Sequence, residues 1–294
     1  MLASLGELTP QDTGVLARAA AIAFVVRESC KLRDVKLATF NINGLRSRLD
    51  NLLAWLAEAS PDVVCLQEIK LHSKQFPLAE LKAAGYGAAW LAEGAYNGVA
   101  ILTKAADPIV TRRALPGDPE DRQCRYLEAA VNGRVVACLY APNGNPQPGP
   151  RFEYKLRWLQ RLHAHAQALD QAKVPVILAG DFNVVPTEHD MYPSKSSWKS
   201  DALVQPAPRA AFARLQALGF SDALRTIHPE PSEEHWTFWD YKRDGWRRGH
   251  GLRIDHMLLS ASVQAQLLDA GVDRYTRGLE GASDHAPMWI TVRE

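Results

Sequence analysis

Apolar positions along the chain fall into short runs separated by turn residues. Seven β-branched runs, at residues 35–40, 63–66, 99–102, 135–140, 174–178, 254–259 and 288–292, predict strands. Between some of them the period becomes helical. Leu49, Leu52, Leu53 and Leu56 share one face with Trp55 beside it, and Leu156, Leu159, Leu162 and His163 repeat the spacing. Proline and glycine at residues 116–119 and 142–150 mark loops. Strands outnumber helices, both are spread along the chain, and no repeat or long linker divides it. This predicts an α+β fold: a four-layer α/β sandwich in which two mixed, mainly antiparallel β-sheets pack face to face with helices on the outside. One domain is expected over residues 35–294, preceded by an extension over residues 1–34.

The extension carries an apolar stretch at residues 15–26, broken by Arg18 and too short to span a membrane. Glu7 and Asp12 do not suit the basic start of a signal peptide. A loosely docked helix, or an extension from an upstream start codon, is expected.

Composition narrows the class. A hydrophobic fraction of 47% with 23% charged residues suits a globular protein with no membrane role. Cys30, Cys65, Cys124 and Cys138 lack metal-site spacing and are expected to be reduced thiols in a cytoplasmic protein. A net charge of +1 is too balanced for a protein that holds nucleic acid by bulk charge. Such a partner would have to be met by a local field or a metal. Lys242, Arg243, Arg247, Arg248 and Arg253 against the single acid Asp244 offer a local field.

The informative polar residues sit where strands end. The runs lead into Phe40-Asn41-Ile42-Asn43-Gly44, Leu66-Gln67-Glu68, Tyr140-Ala141-Pro142-Asn143-Gly144 and Gly180-Asp181-Phe182-Asn183. Arg253-Ile254-Asp255-His256 opens a late strand, and Ser283-Asp284-His285 precedes the last. Taken singly these are ordinary: an acid at a strand end is usually solvated, and a Gly-Asp-x-Asn turn often only bonds its own backbone. Together, gathered at one rim of a sandwich, they would form an oxygen-rich metal site with acid/base groups beside it. Carboxylate and amide oxygens without cysteine favour a hard cation, Mg²⁺ or Mn²⁺, over Zn²⁺. Such an ion suits phosphate chemistry.

These segments resemble the exonuclease III family, the bacterial apurinic/apyrimidinic endonucleases of the exonuclease–endonuclease–phosphatase superfamily. The likeness runs from Val35 to the C-terminus and includes Asn97-Gly98-Val99, Thr237-Phe238-Trp239-Asp240-Tyr241 and Gly251-Leu252-Arg253-Ile254-Asp255. Gly-Asp-x-Asn and Ser-Asp-His recur across the superfamily, including its sphingomyelinases and inositol-phosphate phosphatases. Asn41 to Arg46 and Thr237 to Tyr241 match the DNA-repair branch.

The resemblance implies a Mg²⁺-dependent DNA phosphodiester hydrolase of base-excision repair, with abasic-site endonuclease, 3′–5′ exonuclease and 3′-end-cleaning activities. Double-stranded DNA with abasic sites or blocked 3′ ends would be the partner, and a monomer without an obligate protein partner is expected. Glu68, Asn41 and Asp284 would hold the metal, with Asp181, Asn183 and His285 at or beside it. Asp181 would activate water or border a second ion, and Asn183 would orient that nucleophile. His285 would contact phosphate or move a proton, with Asp255 fixing its tautomer. Tyr140 would bond a phosphate oxygen or protonate the leaving group. Phe238 and Leu252 would wall a pocket for a baseless sugar, with Trp239 as core support. Arg46, Arg48, Lys70, Asn97, Arg125, Arg253 and the loop at residues 242–248 would grip the backbone.

Overall fold

The computed structural model describes residues 34–193 and 200–294. The expected extension lies outside the described residues except for Asp34, which opens the first strand.

Two six-stranded sheets form the centre. The first has the order β11 (Leu267–Val272), β12 (Met288–Arg293), β1 (Asp34–Asn41), β2 (Val63–Gln67), β4 (Val99–Lys104), β3 (Tyr86–Leu91). The second runs β5 (Ile109–Arg112), β6 (Tyr126–Val131), β7 (Arg134–Tyr140), β8 (Val176–Asp181), β10 (Asp255–Leu259), β9 (Ser221–Asp222). Each sheet has one parallel pair, β1–β2 and β7–β8, and is otherwise antiparallel. A parallel pair needs a crossover, and each has a helix there: α1 (Leu49–Ala59) and α3 (Pro150–Gln171). The other α-helices among the described residues are α2 (Leu78–Ala83), α4 (Pro206–Ala217), α5 (Ala223–Ile227) and α6 (Ala261–Gln264).

Three apolar layers follow. Between the sheets lie Leu37, Cys65, Ile101, Leu127, Val136, Ile177, Met257 and Ile290. Outside the first sheet, Leu52, Trp55 and Leu56 of α1 pack on Phe40, Val64 and Leu102. Outside the second, Trp158, Leu159 and Leu162 of α3 pack with Phe212 and Leu215 of α4 on Leu139 and Leu178. The expected four layers are thus present. The α1 stripe matches its spacing, whereas the buried stripe of α3 is centred one residue away from the expected one. It contains Lys155, Trp158, Leu159, Leu162, His165, Ala166 and Leu169, with Leu156 and His163 at its margin.

The topology sets the site. β1, β2, β7 and β8 end, and β10 begins, at one rim of the sandwich. In register, Tyr140 lies beside Asp181, and Asp181 lies opposite Asp255. In the facing sheet Asn41 lies beside Gln67, so Glu68 follows directly. Gly180 is required just before Asp181, because a Cβ there would lie 1.9 Å from the Leu139 carbonyl oxygen of the neighbouring strand. Cys65, Cys124 and Cys138 are free thiols, and Cys30 lies outside the described residues. No helix among the described residues is long and apolar enough to cross a membrane.

Candidate active site

The rim residues form a connected hydrogen-bonded run. Asn41 is fully buried, and its amide nitrogen donates to Glu68 Oε1 at 2.9 Å and to Asp181 Oδ2 at 3.0 Å, tying the two sheets together. Asp181 accepts the Asn183 backbone N–H at 2.8 Å and its side-chain amide at 3.2 Å. The Asn183 amide also donates to the Ala141 carbonyl, and Asn183 Oδ1 accepts from Asn143 at 3.1 Å. On the other side Lys70 Nζ lies 2.5 Å from Glu68 Oε2 and donates to Asn43 Oδ1 at 2.5 Å, while the Asn43 amide donates to Asp284 Oδ1 at 2.8 Å. Ser283 donates to the Asn41 carbonyl at 2.7 Å, fastening the Ser-Asp-His segment to β1.

Beside this run His285 Nδ1 lies 2.7 Å from Asp255 Oδ2. Nδ1 is therefore engaged, and Nε2 is left to the site. The Phe238 ring packs against the imidazole with centroids 4.9 Å apart. Asp181, Asp255 and His285 offer ligand atoms all within 4.8 Å of one another. Backbone strain gathers here too: Asn43, Glu68, Lys70, Asn97 and Asn183 have φ between 46° and 54°, the left-handed region that non-glycine residues rarely adopt.

The electrostatics follow from like charges held close and dry. Burial, reinforced by the facing Asp255 charge and by Glu68, pushes the Asp181 carboxyl well up. Burial alone would disfavour an imidazolium at His285, but the Asp255 carboxylate outweighs it and raises His285 to about 10. For Glu68 burial also opposes the charge, yet Lys70 and the Asn41 amide hold it below the ordinary carboxylate value. Burial, then the Glu68 and Asp181 charges, keeps the Tyr140 phenol protonated well above its usual range. The Arg125 guanidinium lies over the Tyr140 ring, 4.6 Å from its centroid, and donates to the Tyr140 carbonyl.

The donor set suits a hard divalent cation. Glu68, Asp181, Asp255 and Asp284 bring four carboxylates to one rim, and Asn41 adds an amide oxygen with no sulfur nearby. Among the described residues Asp255 Oδ1 is buried without a hydrogen-bond partner, an acceptor oxygen that calls for a ligand.

The sequence-predicted residues do not all meet. Asn41, Glu68, Tyr140, Asp181, Asn183, Asp255, Asp284 and His285 converge. Phe238 is half-buried on His285, and Leu252 is fully buried, paired with Phe238 in a short bridge. Trp239 is fully buried core, as expected. Lys70 and Asn97 line the rim, and Arg46 is exposed with one bond to the Gln75 carbonyl. Arg48 is half-buried and bonds the Asn43 carbonyl and the Tyr241 hydroxyl.

Arg253 corrects the sequence reading. It is 1% exposed, 2.7 Å from Asp190 on one side and 2.7 Å from Asp222 on the other, with His256 also in contact. A guanidinium so enclosed cannot reach a phosphate, so its charge does not belong to the basic loop. Two residues were passed over. Asn43 and Asn143 each precede a glycine in a quoted motif, and that Asn-Gly turn signal was their only mark in the sequence.

Comparison with known proteins agrees with this geometry. The chain belongs to the Endonuclease/Exonuclease/phosphatase family, whose model matches residues 38–285. Within it, the chain is similar to exodeoxyribonuclease III of Haemophilus influenzae, at 32% identity over 87% of this chain and 98% of that protein. Its structure is similar to that of the 3′ phosphatase NExo from Neisseria bound to product DNA hairpin, with TM-score 0.82, 36% identity and coverage of 87% and 98%. An AP endonuclease from Archaeoglobus fulgidus gives TM-score 0.81 at 34% identity with the same coverage.

Proposed function

We propose that the protein is a Mg²⁺-dependent DNA phosphodiester hydrolase that cuts at abasic sites and clears blocked 3′ ends, with Mn²⁺ as a substitute ion. The observation that carries this is the run from Glu68 through Asn41 to Asp181 and Asn183, set against the His285–Asp255 pair. Glu68 and Asn41, with Asp284 joined to them through Asn43 and Lys70, would hold the ion. When bound, it neutralises charge growing on the phosphoryl oxygens.

The chain's own groups supply the rest. Asp181, fixed by two bonds from Asn183, accepts the proton of the attacking water as the carboxylate, the form that the His285 imidazolium favours against burial, and the Asn183 amide oxygen orients that water. His285, held through Nδ1, presents Nε2 to a phosphate oxygen. Tyr140, kept protonated, delivers a proton to the leaving oxygen. Preorganised donors of this kind need no rearrangement as charge develops. Phe238 presents an apolar face beside the imidazole, suited to a sugar without its base, whereas Leu252, fully buried behind it, supports that face and does not line the pocket as the sequence reading expected. Such a nucleotide leaves the stack at lower cost than an intact one. Lys70, Asn97 and the basic loop with Lys242, Arg247 and Arg248 would serve as backbone contacts without sequence preference, and binding should weaken steeply with salt. The similarity to the 3′ phosphatase NExo and to an AP endonuclease supports both activities.

Three duplexes test the reading side by side in Mg²⁺: one with an abasic-site analogue, one with a 3′-phosphate, one undamaged. Damaged substrates should turn over at least about tenfold faster than internal bonds of the undamaged duplex. Hydrolysis of an inositol phosphate or sphingomyelin with no action on any duplex would overturn it in favour of another branch of the superfamily.

A further inference from the structure

Lys155 opens the buried stripe of α3 at its N-terminal end, on a face that is otherwise mostly apolar. It is fully buried, and no ion pair among the described residues involves it; burial pushes its amine down to about 7, with the Asp181 and Asp201 charges opposing the fall. Its three N–H groups meet three backbone carbonyls: Asn143 at 3.0 Å, Asn183 at 2.5 Å and Ala202 at 3.3 Å. These belong to three separate loops. The first follows β7 and carries Asn143, whose amide donates to Asn183 Oδ1. The second follows β8 and carries Asn183 itself. The third precedes α4 and leads to Leu203, which packs with Val185, Leu252 and Ile254 behind the pocket wall.

The backbone is drawn close to the lysine stem. A Cβ at Gly144 would lie 2.7 Å from Lys155 Cδ, so the first loop passes directly over it. The second loop is strained, because Asn183 has φ 50°. A residue in that region keeps its conformation only where its surroundings over-determine it. Around Asn183 those restraints are the bonds to Asp181 and Ala141 above and the Lys155 ammonium below. A buried ammonium is costly without partners, and here carbonyls from three loops are its partners.

We infer that Lys155 is a positioning residue of the active site: its ammonium clamps the Asn143, Asn183 and Ala202 carbonyls so that Asn183 faces the reacting phosphate and the pocket wall stays in register with it. It touches neither substrate nor metal and acts through Asn183. The kinetic part of this inference rests on the nuclease reading above; the positioning part does not.

The test compares Lys155→Met with Leu162→Ala in the full chain. Leu162 lies on the same helix two turns away, is fully buried, and has no part in the site. Both variants should lower Tm. Lys155→Met should lower kcat on an abasic-site duplex about 30-fold, equivalent to about 2 kcal/mol, while Kd for the same duplex in chelator stays within about twofold. Leu162→Ala should leave kcat within about threefold of wild type. The side-chain amide signals of Asn183 and Asn143 in ¹⁵N-labelled, metal-free protein should shift in Lys155→Met and not in Leu162→Ala, a readout that needs no turnover. If Lys155→Met does not fold, Lys155→Gln, which keeps a shorter donor, takes its place with a smaller loss of kcat. Unmoved Asn183 and Asn143 amides, or equal loss of kcat in both variants, would overturn the inference. Absence of nuclease activity in the wild type would count against the proposed function and leave the amide test standing.

Discussion

Replacing Asp255 by asparagine removes one charge from the site and almost no volume. In the wild type the carboxylate lies 2.7 Å from His285 Nδ1, and His285 is raised to about 10 despite complete burial. Against an ordinary histidine near 6.5 that is about 3.5 units, or roughly 5 kcal/mol of preference for the imidazolium as an upper bound. The carboxamide can still accept the Nδ1–H, so the ring keeps its place, but burial then opposes the cation with the Asp181, Asp284 and Glu68 charges in support and the leading one gone. The His285 titration midpoint should fall by at least about two units. Removing the charge that faces Asp181 should also lower Asp181, since Asp255 is the leading charge raising it. Turnover should fall by about 10²–10³, the usual cost of losing one preorganised group around a reacting centre. The Ile254 and Asp255 backbone N–H groups still donate to the Thr237 hydroxyl, so Tm should change little. The assay is long-range ¹H–¹⁵N NMR of the imidazole in chelated protein, paired with single-turnover cleavage in Mg²⁺. A His285 midpoint unchanged within about half a unit, or turnover within about threefold of wild type, would refute the reasoning.

Other consequences are separable. Arg253→Met leaves Asp190 and Asp222 without their shared buried partner and should destabilise by about 3–5 kcal/mol in urea unfolding, with the salt dependence of DNA binding unaltered; a reduced salt slope would mean that Arg253 does reach phosphate. Acid should weaken the fold through His256, which burial and the adjacent Arg253 lower to about 4. A group depressed in the folded state contributes stability that is complete above its unfolded value near 6.5 and is lost as pH falls toward 4, here up to roughly 3 kcal/mol. His235, also lowered to about 4 by burial and by His228, acts in the same window. A urea midpoint at pH 4.5 equal to or above that at pH 7.5 would contradict this. Arg125→Ala removes the guanidinium over the Tyr140 ring and should reduce kcat more than DNA affinity; the reverse split would assign Arg125 to backbone binding.

Much of this was legible in the chain because β1, β2, β7 and β8 are short apolar runs that each end in a polar residue. Asn41, Glu68, Asp181 and His285 could be placed on strand ends, and strand pairing then gathered them. Edge strands were not legible: β5 has no buried residue and β9 is only two residues long, so neither carries a period. Arg253 and Lys155 show a deeper limit. Whether a charged side chain faces water or the interior depends on partners far away in sequence, Asp190 and Asp222 for one, and the Asn183 and Ala202 carbonyls for the other. No local pattern encodes those partners, and the basic run around Arg253 pointed outward. Asp255 shows the converse, since its role as the tautomer-setting partner followed from family resemblance and its geometry became visible only when β8 and β10 were paired.

Under the proposed function Asp181 would act on water at damaged positions of DNA, with a divalent cation that Glu68, Asn41 and Asp284 would hold. This is met most directly by single-turnover cleavage of an abasic-site duplex by wild type and Asp181→Asn, each with Mg²⁺ and with chelator. Wild type should cut in Mg²⁺ and not in chelator, and Asp181→Asn should lose about 10²–10³ of that rate while still binding the duplex. Cleavage that persists in chelator, or an Asp181→Asn rate equal to wild type, would contradict the account.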